Sequence, residues 1–436
     1  MELTDSMSDS AFTGRNALKQ RIQERLLARL DFSAMSLLDP IMLRAQLAML
    51  VMQILEEDGA AFSDTDREEV INDVMNEILG LGPLEPLLQD EEVSDILVNT
   101  ATRIYVERAG KLSLSPSRFR DNRHLRDVID KIVARVGRRI DESSPMVDAR
   151  LEDGSRVNAI IPPLALDGPI VSIRKFCRER LQLEHLVAGG ALTPEIGEML
   201  KAMVCGRLNI LIAGGTGCGK TTMLNLLSGF IPAEERIVTI EDAAELQLRQ
   251  DHVVRLETRP SNVEGKGEIT QRDLVRNSLR MRPDRIVLGE VRGPEALDML
   301  QAMNTGHDGS LATIHANSAR DAVTRIETMV AMAGLNLPVH MLRHYVASAL
   351  DVIVHLSRLS DGTRKLMSVQ EVVGMEQDVV VLQEIFRFEQ TGLDESRRVR
   401  GRFLAAGVRP HFMTRLDALG IAVPPDLFDP NRIREV

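Results

Sequence analysis

Gly214-Gly215-Thr216-Gly217-Cys218-Gly219-Lys220-Thr221 obeys the pattern G-x-x-x-x-G-K-[ST], with Thr222 directly after it. Glycines at this spacing let successive backbone N–H groups turn toward a chain of phosphates. Lys220 then reaches the β- and γ-phosphates, and the Thr221 hydroxyl is placed to ligate Mg²⁺. The loop lies between an apolar run, Leu208 to Ala213, and a helical pattern starting at Lys220. That strand–loop–helix context is what the motif requires, because the helix N-terminus adds its own attraction for anions. Cys218 contributes only backbone by this logic and reads as a small filler sooner than as a redox group.

A phosphate cradle binds a nucleotide without saying whether it is hydrolysed, so acids at the same edge matter. Arg285-Ile286-Val287-Leu288-Gly289-Glu290 is an apolar strand closing on a carboxylate. Glu290 is therefore a candidate to hold Mg²⁺ through water, with Gly289-Glu290 where an Asp is usual. Glu241 ends a second apolar run in Ile240-Glu241-Asp242-Ala243-Ala244-Glu245, and is a candidate to orient or deprotonate an attacking water. Either acid alone reads equally as a solvated loop residue. Their common position at the carboxyl ends of strands in a parallel sheet favours the functional reading.

Two of the nine histidines flank one further strand in Thr305-Gly306-His307-Asp308-Gly309-Ser310-Leu311-Ala312-Thr313-Ile314-His315-Ala316-Asn317. His315 is expected at the cradle's edge as a sensor of the γ-phosphate, and His307 is a weaker candidate for the same nucleotide. The alternative for both is an ordinary hydrogen-bonded histidine. Phosphoryl transfer also needs positive charge on the γ-phosphate. Arg156 and Arg174 each sit in a β-like run where a charge is otherwise unneeded, and Arg280, Arg282 and Arg285 form a lesser cluster.

The elements that must position these residues follow from the hydrophobic pattern. Apolar positions recur at helical spacing over Asn16–Leu30, Ile41–Leu55 and from Ser63, with Asp66 as a capping partner, to Gly80. This reads as a small helical bundle or a partner-docking appendage. Beyond Gly80-Leu81-Gly82-Pro83 come short strand-like pieces, Asp95–Asn99, Arg103–Glu107, Arg156–Ile161 and Pro169–Ile173, of a mixed α+β domain. A charged stretch, Cys177 to His185, leads into alternating strands and helices. Strands are expected at Leu208–Ala213, Arg236–Ile240, Val253–Leu256, Arg285–Gly289 and Leu311–Ile314, with helices near Leu274–Met281 and Glu295–Met303. Such alternation predicts a parallel sheet covered on both faces.

The 436 residues suggest about three domains. Lys plus Arg is 53 and Asp plus Glu 64, a formal charge of −11, which argues against a dedicated nucleic-acid coat. Aromatic residues make up 3%, with no Trp and two Tyr, too few for a base-stacking platform. Three cysteines without C-x-x-C support neither a disulfide framework nor a structural zinc site. The first ten residues carry no base and lead into no apolar core, and the run Leu47–Met52 falls far short of a membrane span. The expectation is a chain without a signal peptide or transmembrane segment, in a reducing compartment.

In order along the chain, these motifs resemble a bacterial secretion ATPase of the type II/type IV superfamily, and most closely the CpaF-type ATPase of tight-adherence (Tad/Flp) pilus systems. The resemblance rests on the Walker A loop Gly214–Thr221, the Asp box Thr239–Leu246, the atypical Walker B Leu288–Gly293 and the His box Thr305–Asn317. It also rests on Gly80–Leu88, Gly137-Arg138-Arg139-Ile140-Asp141 and Asp153–Pro163 upstream. It implies an α/β fold: a RecA-like P-loop ATPase domain at 191–436, preceded by a linker at 177–190, a PAS-like α+β domain at 81–176, and a flexible N-terminus with a helical bundle at 1–80. It further implies a homo-hexamer holding ATP or ADP with Mg²⁺ between the two domains. In this scheme Glu241 is the general base, Glu290 the Walker B acid, His315 the phosphate sensor, and Arg156 and Arg174 the arginines that clamp phosphates.

By the same resemblance the ring works at the cytoplasmic face of the inner membrane, driving assembly and in some members retraction of pili through platform proteins. A Vir-type secretion or conjugation ATPase is the second reading, and a nucleotide-binding scaffold the third. The tetracysteine zinc module of general secretion-pathway ATPases is absent, which turns the expectation toward the pilus or Vir-type branches.

Overall fold

In the computed structural model the described residues are 21–22, 25–26, 28–29, 40–57, 64–108, 110–176, 181–261, 266–334, 338–432 and 434–435. They fall into two compact units, Met1–Cys177 and Arg178–Val436.

The first unit opens with helices Pro40–Glu57 and Asp64–Leu79. Leu47, Val51 and Ile54 on one, and Val70 and Val74 on the other, recur at three- and four-residue spacing and bury with Ile22 and Leu26 in one small core. The expected helix at 41–55 thus gains one residue at its start and two at its end, while the one expected from Ser63 to Gly80 runs from Asp64 to Leu79 and its Ser63 cap lies outside the described residues.

The α+β part of this unit is a six-stranded sheet. Its strands are β1 (Val93–Thr100), β2 (Arg103–Arg108), β3 (Lys111–Leu114), β4 (Met146–Arg150), β5 (Arg156–Ile160) and β6 (Ile170–Arg174), in the spatial order β3-β2-β1-β6-β5-β4. Every pairing is antiparallel. Helix Asn122–Arg135, capped by the Asp121 side chain on the His124 amide, contributes Val128, Ile129, Ile132 and Val133 to the sheet's core. Sequence reading missed the edge strands β3 and β4. All four residues of β3 are exposed, so no alternation of apolar and polar residues marks it. Register sets Arg150 opposite Arg156, and Arg156 opposite Arg174.

The second unit holds a ten-stranded sheet. Its strands are β7 (Ile210–Gly214), β8 (Ile237–Glu241), β9 (Val253–Glu257), β10 (Arg285–Val291), β11 (Leu311–Ile314), β12 (Val352–Arg358), β13 (Arg364–Glu376), β14 (Val379–Leu393), β15 (Val399–Ala405) and β16 (Arg434–Glu435). The spatial order is β16-β15-β14-β13-β12-β7-β11-β10-β8-β9. The six strands from β12 to β9 are parallel, as the alternation predicts. Side chains alternate between two cores: Ile210 and Ile212 of β7 join one, Leu211 and Ala213 the other.

Beyond β12 the sheet continues through antiparallel β13–β16, an extension the sequence pattern did not announce. Register shifts interrupt β13 and β14, and one flank of β14 is solvent-exposed, which blurs the two-residue period. The expected 177–190 linker is partly structured: helix Leu183–Ala188 packs Leu183, Leu186 and Val187 on the first core. No described helix is long and apolar enough to cross a membrane.

Candidate active site

The loop from Gly214 to Gly219 joins β7 to helix Lys220–Ser228. Gly217 and Gly219 adopt φ of +69° and +98°, which only glycine adopts without strain. A Cβ on Gly214 would lie 2.4 Å from the Cys218 Sγ and 2.7 Å from the Leu356 carbonyl oxygen. The buried Cys218 thiol, pushed up by desolvation, is therefore packing for the loop. Lys220 Nζ donates to the carbonyls of Gly214 at 3.1 Å and Gly215 at 3.0 Å, and stands 3.8 Å from Glu290 Oε1. The ammonium is thus held at the mouth of the cradle, with a carboxylate beside it.

Glu290 reaches that position through a bulge. Between Leu288 and Val291, β10 carries one more residue than β11 opposite it, a device that re-aims side chains at sheet ends. The Thr313 hydroxyl of β11 donates to the Gly289 carbonyl at 2.6 Å. Arg292 grips the other oxygen of Glu290, through Nε at 3.0 Å and Nη2 at 2.6 Å, and its Nη1 lies 3.4 Å from Asp242 Oδ2. Glu295 accepts the amides of Arg292 at 2.6 Å and Gly293 at 2.7 Å, which fixes the turn after Glu290.

Glu241 closes β8 and is 3% exposed. Its Oε1 accepts the amides of Glu245 and Leu246, each at 2.9 Å, while Oε2 is buried without a partner. Burial raises its pKa from 4.5 to about 7. Gly289 makes room for it, since a Cβ there would lie 2.9 Å from the Glu241 Cγ. A buried carboxyl near neutrality with one unpartnered oxygen is equipped to accept a proton from a water bound beside it. The donors near the cradle also suit Mg²⁺: the Thr221 hydroxyl and the Glu290 carboxylate are hard oxygen ligands. That carboxylate already draws two cationic side chains, Lys220 and Arg292.

His315 follows β11 directly, and Ile314 pairs with Ala213 of β7, so the half-buried His315 emerges at the cradle's edge. His307 does not. It precedes β11 beside Asn209, whose Oδ1 takes the Gly309 and Ser310 amides, at the opposite end of the same strands. Its expected role at the nucleotide is corrected accordingly: the His box spans the sheet from edge to edge. Arg285, named in the lesser basic cluster, is fully buried and bound to Glu235 and to the carbonyls of Gly309 and Val204, a structural role. Arg156 and Arg174 are directly opposed on β5 and β6, and Arg174 Nε lies 3.3 Å from Asp95.

Arg292, Glu295, Thr313, Arg358 and Arg364 are site residues to which sequence reading gave no role. Arg364 Nε donates to the Gly217 carbonyl at 2.9 Å from a strand 147 positions along the chain. Only the Walker B and His boxes, which contain Arg292 and Thr313, offered any local signal.

Against known families, the profile described as "Type II/IV secretion system protein" matches residues 77–407, more than half of the chain. The chain belongs to the type II/IV secretion system protein family. A second profile, "Type II secretion system protein E, N-terminal domain", matches residues 16–79 of this secretion-system protein. A Mycobacterium tuberculosis protein assigned to conjugal transfer is 39% identical over 312 residues, covering 70% of this chain and 88% of the relative. The type IV secretion system protein VirB11 of Brucella suis is 32% identical over 316 residues, 66% of this chain and 88% of the relative. The crystal structure of the Brucella suis VirB11 ATPase with sulphate aligns at 30% identity and a TM-score of 0.36, over 66% of this chain and 95% of that one.

Proposed function

We infer that the protein is an Mg-dependent ATPase that converts ATP and water to ADP and phosphate and drives a conjugation or type IV secretion machine. The observation that carries this reading is the convergence of Lys220, Glu290 and Glu241 at the carboxyl ends of β7, β10 and β8. The relatives assigned to conjugal transfer and type IV secretion supply the choice of machine.

The chemistry follows from the side chains. The loop amides and Lys220 hold the β- and γ-phosphates. Glu241 takes a proton from the attacking water through its unpartnered Oε2. The water oxygen bonds to the γ-phosphorus as the bridging bond to the β-phosphate breaks, and ADP departs with the charge. Thr221 and Glu290 would hold Mg²⁺, which would supply positive charge to offset that of the transferring phosphoryl group. His315 would register the loss of the γ-phosphate at the end of β11. By the family resemblance, Arg156 and Arg174 would be the phosphate-clamping arginines.

The family resemblance extends this to a PAS-like domain and a RecA-like domain in a homo-hexamer, at the cytoplasmic face of the inner membrane and bound to platform proteins. A second reading, a tight-adherence pilus motor for assembly or retraction, is favoured by the helical bundle that precedes Gly80.

The test is a chromosomal Lys220→Ala strain scored for DNA or effector transfer and for surface pili. Lost transfer with intact pili supports the secretion reading. Lost pili with intact transfer replaces it with the pilus motor. A strain unchanged in both rejects the motor role.

A further inference from the structure

The β12–β13 hairpin brings two arginines to the phosphate loop. Arg358, the last residue of β12, and Arg364, the first of β13, are directly opposed in the antiparallel register. Like charges placed opposite each other in a sheet are unfavourable unless something nearby offsets them. Arg364 Nε donates to the Gly217 carbonyl at 2.9 Å, and its Cδ lies 3.4 Å from where a Cβ on Gly219 would stand. Arg358 Nη1 is 3.6 Å from the corresponding point on Gly217. The bare glycines thus let the Arg364 stem lie along the loop, with both guanidinium groups flanking its apex.

The peptide unit that carries the Gly217 carbonyl also carries the Cys218 N–H. A carbonyl engaged by a charged donor polarises the same unit's N–H, which points the opposite way, as a stronger donor. We propose that Arg364, supported by Arg358, is a positioning residue for the nucleotide's phosphates: it presets the apex of the Gly214–Gly219 loop and adds positive charge beside it. The proposal rests on the reading of that loop as the nucleotide site. It assigns to the β12–β13 hairpin a share of phosphate affinity independent of Lys220. The two arginines act on ADP, ATP and pyrophosphate alike, and adenosine gains nothing from them.

The test is binding of ADP, inorganic pyrophosphate and adenosine to the full chain by calorimetry, for wild type, Arg364→Gln, Arg364→Lys, the double variant Arg358→Gln/Arg364→Gln, and Lys220→Ala. The expected result is ADP and pyrophosphate affinity lowered roughly threefold to tenfold by Arg364→Gln, the scale of one ordinary net hydrogen bond. The double variant loses more, Arg364→Lys recovers part of the affinity, and adenosine binding is unaltered. Unchanged pyrophosphate affinity in Arg364→Gln, or an equal loss for adenosine, overturns the proposal. Lys220→Ala separates the two levels. If it weakens pyrophosphate binding while Arg364→Gln does not, the inference alone fails. If it leaves pyrophosphate binding intact, the reading of the loop fails. Thermal melting of each variant without ligand identifies any that misfolds, and the lysine variant then carries the test.

Discussion

The Thr313 hydroxyl donates to the Gly289 carbonyl at 2.6 Å, so the strand that leads into His315 holds the bulge that aims Glu290. Thr313 is buried, and the bond joins two neighbouring strands of the parallel sheet. The arrangement links the carboxyl end of β11, next to His315, to the acid beside Lys220 through one hydrogen bond.

Thr313→Val keeps the side chain's volume and removes the donor. It is expected to cost about 1–2 kcal/mol of stability, the scale of a buried acceptor left without its partner. It should also raise the Mg²⁺ concentration for half-maximal ATP hydrolysis by about tenfold, as outer-shell supports of metal ligands do. Thr313→Ser should restore the Mg²⁺ dependence. A magnesium titration of phosphate release in the three proteins checks this.

Glu241 gives the ATPase unit a signed pH dependence. Its folded pKa of about 7 stands above the carboxylate's ordinary 4.5, so between these values the folded state holds a proton that the unfolded chain releases. The group's contribution to stability is therefore fully present below about 4.5 and is lost as pH rises through about 7. Melting curves from pH 5 to 8 should show Glu241→Gln gaining on wild type as pH rises, approaching about 3 kcal/mol. In wild type, kcat/KM for ATP should climb through about pH 7 as the base ionises.

Gly309 has φ +82°, and a Cβ there would meet Arg285 Nη1 at 1.9 Å and the Arg207 Cα at 2.9 Å. Gly309→Ala should displace the buried Arg285 from Glu235 and cost roughly 3 kcal/mol or more. Denaturant unfolding measures the loss. Because this cluster sits at the sheet edge opposite the cradle, ADP affinity of the folded variant should match wild type.

The parts of the site legible in the sequence are those carried by contiguous residues. Gly214–Thr221 is a complete local device, and the apolar runs ending at Glu241 and Glu290 place both acids at one edge of a parallel sheet. His307 was misplaced because its motif straddles a four-residue strand, and at roughly 3.3 Å per residue the two ends are some 13 Å apart. Arg285 looked like a site cation because its partners, Glu235, Gly309 and Val204, lie far away in sequence. Arg358 and Arg364 stayed hidden for the same reason: their neighbour Gly217 is on another strand's loop. The antiparallel half, β13 to β16, was missed where register shifts and an exposed flank break the two-residue period that reveals a strand.

The central claim, that Glu241, Glu290 and Lys220 together hydrolyse ATP, is tested most directly by single-turnover release of phosphate from radiolabelled ATP by the full chain. The predicted result is cleavage by wild type, loss of roughly 10²-fold or more in Lys220→Ala and Glu241→Gln, and ATP retained uncleaved by Glu290→Gln. Phosphate release at the wild-type rate by Glu241→Gln or Glu290→Gln would contradict it.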